Sequence, residues 1–142
     1  LNKEPIDKKI KLDFNNSKYA TGRRKKSIAK VWLKKGSGNI LVNGKKMIDY
    51  FQKQNLQMAI ARPFAVVKRE NEFDVRCSVK GGGLSGQAGA IIHGLARAIV
   101  LFEPELKTAL KKEKLTTRDS RAVERKKYGR RKARRSFQFS KR

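Results

Sequence analysis

Acidic residues are scarce in this chain: 12 Asp and Glu stand against 37 Lys and Arg, leaving a formal net charge of +25 over 142 residues. A molecule so unbalanced repels itself until a polyanion neutralises it. Nucleic acid is the first candidate, because each phosphate met by Lys or Arg releases condensed counterions. Soft metal ligands are scarcer still. The single cysteine, Cys77, can close no internal disulfide, and with His93 the only histidine, no zinc set can be assembled. The chain suits a reducing compartment. No uninterrupted apolar run reaches the roughly 18 residues that suggest a membrane helix. The longest candidate, residues 88–102, is broken by His93, Gly94 and Arg97, which argues against a membrane span. Catalysis also lacks its parts: the acids are dispersed and none forms a recognisable signature with His93, so neither metal-holding carboxylates nor a base is evident.

The length allows one domain with appendages. Residues 1–18 mix Lys, Asn and Asp with scattered apolar side chains and keep no period, which predicts an irregular N-terminal arm. The opening at Leu1 rather than Met leaves room for an upstream segment. Residues 19–115 read as a globular α+β domain. Ala29, Val31 and Leu33 alternate with Ile28, Lys30 and Trp32 as a core strand; Trp32 could stack on a base, but its strand position favours core packing. Turn residues at 36–39 lead to a second strand at 40–42 that stops at Asn43-Gly44, so a β-hairpin is predicted. Two short helices follow, and Pro63 is expected to end the second and start a third strand at 64–67. Phe73, Val75, Cys77 and Val79 give the cleanest strand signal, with Cys77 in the core. Beyond it, Ala88, Ile91, Ile92, Leu95, Ala96, Ile99 and Val100 form one broad helical stripe. Glu103-Pro104 opens a further helix with Leu106 and Leu110 inward.

After Leu115 the apolar period vanishes. Residues 116–142 carry 12 basic and two acidic side chains, a composition that orders only on a partner. This tail interleaves Arg125, Lys126, Lys127, Arg130, Arg131, Lys132, Arg134 and Arg135 with Tyr128, Phe137 and Phe139. Guanidinium groups grip phosphate bidentately and aromatic faces stack on unpaired bases. The plainer alternative is a solvated basic tail serving localisation or solubility.

A second feature, Gly81, Gly82, Gly83, Ser85 and Gln87, is a glycine-rich loop opening into the long helix, where free backbone N–H groups favour an anion. Alone, it fits close packing of helix on sheet or phosphate binding equally, and the basic context decides for RNA phosphate. The loop faintly resembles that of the galactokinase–homoserine kinase family, yet it lacks the ending of a Walker loop and the spacing of a dinucleotide fingerprint. A third group, Arg23, Arg24, Lys25 and Lys26, follows Thr21-Gly22. With the tail and the loop it predicts separate anion contacts spread over the surface, as a protein wedged among RNA helices needs. His93, near Gly89 and Arg97 at helical spacing, reads as a polar or RNA-facing position rather than a catalytic one.

Together these residues resemble the small-subunit ribosomal protein S-nine family in its bacterial or organellar form. The likeness runs from Tyr19-Ala20-Thr21-Gly22-Arg23-Arg24-Lys25 through residues 36–44, the loop at 81–90 and Leu115-Thr116-Thr117-Arg118-Asp119-Ser120-Arg121 to the end. The closing residues 134–142 are similar to alphaproteobacterial versions, which with the Lys- and Asn-rich wording and the missing initiator Met favours a mitochondrial matrix over bacterial cytoplasm. The resemblance implies an α+β sandwich like the second domain of ribosomal protein S-five, with a left-handed βαβ crossover against the usual hand. It further implies a structural, non-enzymatic role without cofactor or metal. The globular part would bind rRNA of the small-subunit head beside neighbouring ribosomal proteins, and the tail would reach the peptidyl-tRNA site. Contacts with rRNA are then expected at Arg23, Arg24, Lys25, Lys80, Gly81, Gly82, Gly83, Ser85, Gln87 and Arg97, and along the tail at Arg118, Arg121, Arg125, Lys126, Lys127, Tyr128, Arg130, Arg131, Lys132, Arg134 and Arg135. Ser140, Lys141 and Arg142 would approach the tRNA anticodon stem-loop. One departure is Ile92, where many relatives carry a basic residue. Two other functions compete: a small-molecule kinase holding ATP on the glycine loop, and a free RNA chaperone outside the ribosome.

Overall fold

The computed structural model describes residues 17–118, 121 and 124–135. Most of the expected N-terminal arm, residues 1–16, lies outside them, as do Ser140, Lys141 and Arg142. The chain forms a five-stranded mixed sheet in the order β1-β2-β5-β3-β4, from β1 (Lys18–Arg24), β2 (Ser27–Lys35), β3 (Ile40–Val42), β4 (Lys45–Lys46) and β5 (Phe73–Lys80). Helices α1 (Met47–Tyr50) and α2 (Gln54–Val66) join β4 to β5, and α3 (Leu84–Phe102) and α4 (Lys107–Lys112) follow, with a 3₁₀ turn at Pro104–Leu106 between them. The architecture is mixed α+β.

The predicted hairpin between the strands at 27–33 and 40–42 does not exist. β5 inserts between them, antiparallel to β2 and parallel to β3. The true hairpins are local and were partly hidden. β1 pairs with β2 around Lys25-Lys26, with Arg24 opposite Ser27. β3 turns back into β4 at Asn43-Gly44, both with positive φ (51° and 81°), as a two-residue turn between twisted strands requires. Asn43 then fastens β3 to β5 beyond the ladder: its Oδ1 accepts the Val79 N–H at 2.9 Å and its Nδ2 donates to the Val79 carbonyl at 3.1 Å.

Pro63 does not end a helix, and residues 64–67 are not a strand. α2 runs through Pro63, burying Ile60, Pro63 and Phe64, with Val67 buried just past its end. This spacing is one helical face. A buried apolar side chain contributes about 1.5–3 kcal/mol, so four of them offset the roughly 3 kcal/mol penalty of an interior proline. The end comes at Lys68 (φ 56°), where Arg69 N–H donates to Phe64 O and Lys68 N–H to Ala65 O, a Schellman closure without its usual glycine. Helix α4 stops in the same way at Lys114 (φ 59°), with Leu115 bonded to Leu110 and Lys114 to Lys111.

One face of the sheet carries the core. Ala29, Val31, Leu33, Val42, Phe73, Val75, Cys77 and Val79 point into it, against Ile91, Leu95, Ala98 and Ile99 of α3. By length and composition α3 is long and apolar enough to cross a membrane, despite its interrupting polar residues. Here it is a core helix lying across β1 and β2. It approaches β1 closely because both sides are small. A Cβ on Gly22 would stand 2.8 Å from Gly94 Cα and closer still to Ala90 O and Gly94 N, and one on Gly94 would overlap Val31. Trp32, expected inside, lies half-buried on the opposite face, since alternation gives the core side of β2 to Ala29, Val31 and Leu33.

Candidate nucleic-acid interface

The hairpin turn between β1 and β2 brings Arg23, Arg24, Lys25 and Lys26 to one end of the sheet, and the glycine loop packs directly against it. Ser27, buried, donates from Oγ to the Gly81 carbonyl at 2.8 Å. Gly81 and Gly82 hold φ of 80° and 64°, a region glycine enters without strain, and a Cβ on Gly81 would stand 2.5 Å from Lys26 O. Gly86 rests near Ser27 Oγ and the Arg24 carbonyl, and Gly89 seats the Arg24 side chain, whose Nη1 lies 2.9 Å from where a Cβ would be. Gly81, Gly82, Gly86 and Gly89 thus all approach the β1–β2 turn closely. Gly83 differs. It caps α3 with open space around it, and the first helical bond is Gln87 N–H to Gly83 O at 2.9 Å, so the N–H groups of Leu84, Ser85 and Gly86 precede the helical ladder. Lys80 and Ser85 are exposed beside it.

Gln87 is used within the protein at both ends. Its Oε1 accepts the Tyr50 hydroxyl at 2.7 Å, and its Nε2 donates to the Gly81 carbonyl at 3.2 Å. This chain of bonds, extended by Asn43 Nδ2 to the Tyr50 hydroxyl at 3.3 Å, braces the loop from below. Tyr50 carried no sequence signal for that role beyond its place in a short helix.

On the flank of α3 the start of the tail meets the same basic end. A cleft of about 340 Å³ is lined by Arg23, Arg24, Gly89, His93, Thr117 and Arg121, among others. His93 Nδ1 accepts the Arg23 main-chain N–H at 3.2 Å. Its pKa is held below the ordinary histidine value, first by burial and then by the positive charges of Arg97 and Arg118, against a hydrogen bond to the Thr116 backbone that raises it. The neutral ring thus acts as a strut between β1 and the tail. Arg97 Nη1 donates to the Thr21 carbonyl at 2.6 Å, pinning its guanidinium over the β1 backbone. The basic turn, the glycine loop and the root of the tail meet at one end of the domain, while Arg97 lies farther along α3 beside Thr21.

Farther along, Arg125, Lys126, Lys127, Tyr128, Arg130, Arg131, Lys132, Arg134 and Arg135 are exposed. Glu124 collects the segment locally, paired with Lys127 and, at 2.8 Å, with Arg134 Nε, and these two hydrogen bonds lower its pKa. Exposed ion pairs of this kind add little stability. Among the described residues no three His, Cys, Asp or Glu side chains gather into a set able to hold a metal ion. Phosphate recognition by guanidinium, ammonium and backbone N–H is the chemistry this end of the molecule offers. The family model described as Ribosomal protein S9/S16 matches residues 22–142, taking in the basic turn, the glycine loop and the whole tail, and the chain belongs to that family of structural proteins of the small ribosomal subunit.

Proposed function

We propose that this protein is a scaffold of the small-subunit head, seating its basic end on rRNA and sending its tail to the peptidyl-tRNA site. The observation that carries the reading is the meeting of Arg23, Arg24 and Lys25 with the opening of α3 and with Arg118 and Arg121, all at one end of the sheet. Phosphate contacts of this sort fix position and orientation without reading bases, which is what a scaffold between RNA helices must do. Tail cations from Arg125 to Arg135 continue the path along rRNA, and Ser140, Lys141 and Arg142 finish against the anticodon stem-loop of the tRNA. The mitochondrial matrix is the compartment favoured by the likeness of residues 134–142 to alphaproteobacterial versions.

Titration of the full chain against a small-subunit head rRNA fragment over a range of salt tests the first part. A steep negative slope is expected, and Arg23→Gln with Arg24→Gln lowers it by about two phosphate contacts. A slope unchanged by both substitutions refutes the assignment. For the tail, deletion of residues 140–142 leaves subunit assembly intact and loosens tRNA at the peptidyl site. Loss of assembly in that deletion refutes this division of labour.

A further inference from the structure

The face of the sheet turned away from the helices is unlike an ordinary solvated surface. A single row crosses it from edge to edge, since Tyr19 pairs with Trp32, Trp32 with Arg76, Arg76 with Leu41, and Leu41 with Lys46. Trp32 is the only tryptophan of the chain and lies between two neighbours of its own row. The Tyr19 ring is 5.2 Å away with a tilt of 48°, and the Arg76 guanidinium lies over the indole at 5.1 Å. The next rows place Thr21, Lys30 and Ser78, then Arg23, Ile28 and Lys80. Tyr19 and Ile28 are each 44 % exposed, and Lys30, Arg76 and Lys80 are exposed as well. The one acid at these alternating positions, Asp74, is buried, accepting the Ser37 and Asn39 N–H groups at 3.1 Å each. Among the described residues, every exposed charge at these positions is therefore positive.

Aromatic faces on a sheet, set among cations without a competing acid, match the chemistry of unpaired nucleotides: bases stack on rings and guanidinium planes while the phosphates meet lysine and arginine. A regular duplex offers no free base face to such a row. We infer that the open face centred on Tyr19, Trp32 and Arg76 is a second RNA site, which takes an unpaired strand and stacks its bases on Trp32 and Tyr19. The site adjoins the basic end that grips phosphates, with Arg23 and Lys80 at the border between them, and it rests on the RNA-binding reading proposed above.

Trp32 reports on the site directly, because all tryptophan emission comes from it. The full chain is titrated with a short oligouridylate, an abasic oligomer of the same length, an RNA duplex and an acidic peptide. Oligouridylate is expected to quench Trp32 while the abasic oligomer and the duplex bind without quenching. Tyr19→Leu and Arg76→Gln, both at exposed positions and checked for native circular dichroism, should each weaken the quenching interaction about tenfold. Equal quenching by the abasic oligomer, stronger quenching by the acidic peptide, or indifference to both substitutions overturns the inference. Duplex binding with Trp32 silent to every RNA overturns it while leaving the rRNA reading in place. Failure of all RNAs to bind sinks both.

Discussion

Replacing Gly22 by alanine tests whether the glycine of the Thr21-Gly22-Arg23 stretch serves packing rather than ligand binding. The added methyl would stand 2.8 Å from Gly94 Cα, where carbon atoms need about 3.5–4.0 Å, and nearer still to Ala90 O and Gly94 N. All three are backbone atoms of α3, so no rotamer change relieves the overlap. Helix and strand must part by about 1 Å, which opens gaps around Val31 and Ile91. Overpacking in a core costs about 1–3 kcal/mol, and a clash with backbone belongs at or above the upper end. For a domain of this size about 3 kcal/mol lowers the melting temperature by roughly 10–20 °C. Gly83→Ala is the control, since nothing lies within 4 Å of its Cβ position, and it should stay within about 1 kcal/mol of the parent. Thermal unfolding followed by circular dichroism measures both. If Gly22→Ala melts with the parent, the close crossing of β1 and α3 is not what holds them.

Other expectations are simpler. Burial pushes the Cys77 thiol up to about 12, so a disulfide reagent should leave the native protein untouched and react only on unfolding; rapid native labelling would place the thiol elsewhere. Because the folded-state pKa of His93 is depressed, the unfolded chain binds more protons just below 6.5; stability is full above that pH and declines as pH falls toward the folded value. Chemical denaturation across that range should show the loss, and His93→Asn should flatten it. Asp74→Ala strips the acceptor from two main-chain N–H groups in the turn before β3 and should cost about 2–4 kcal/mol, whereas Asp74→Asn, keeping Oδ1, should cost clearly less by the same measurement.

Much of the fold could be read from side-chain periods. β5 was legible because Phe73, Val75, Cys77 and Val79 alternate without interruption, and α3 because its stripe continues for more than three turns. Strand order was not legible. Two neighbouring strands joined by a glycine turn look like a hairpin, and nothing local tells that a strand some thirty residues later will separate them. Pro63 misled for a related reason, since the tertiary value of burying Ile60, Pro63, Phe64 and Val67 overrode local propensity, and Lys68 took the left-handed position where glycine would have marked the end. Trp32 was assigned to the core because it lies in a core strand, although strand parity already placed it opposite Val31. At the interface, the basic turn and the glycine loop were each evident as residues. Their contact, through Ser27 and Gly81, is a product of the sheet and invisible in spacing.

The position of β5 has a consequence for how the molecule is made. Synthesised last among the strands, it sits in the middle of the finished sheet, so a nascent chain that has reached Lys46 holds two hairpins with nothing to join them. Until residues 73–102 emerge, Leu33 and Val42 lack their cover and the inner edges of β2 and β3 offer unpaired backbone to any extended chain nearby. A chain interrupted before Lys80 would be left as an adhesive half-sheet, and prompt completion of synthesis is its protection against aggregation.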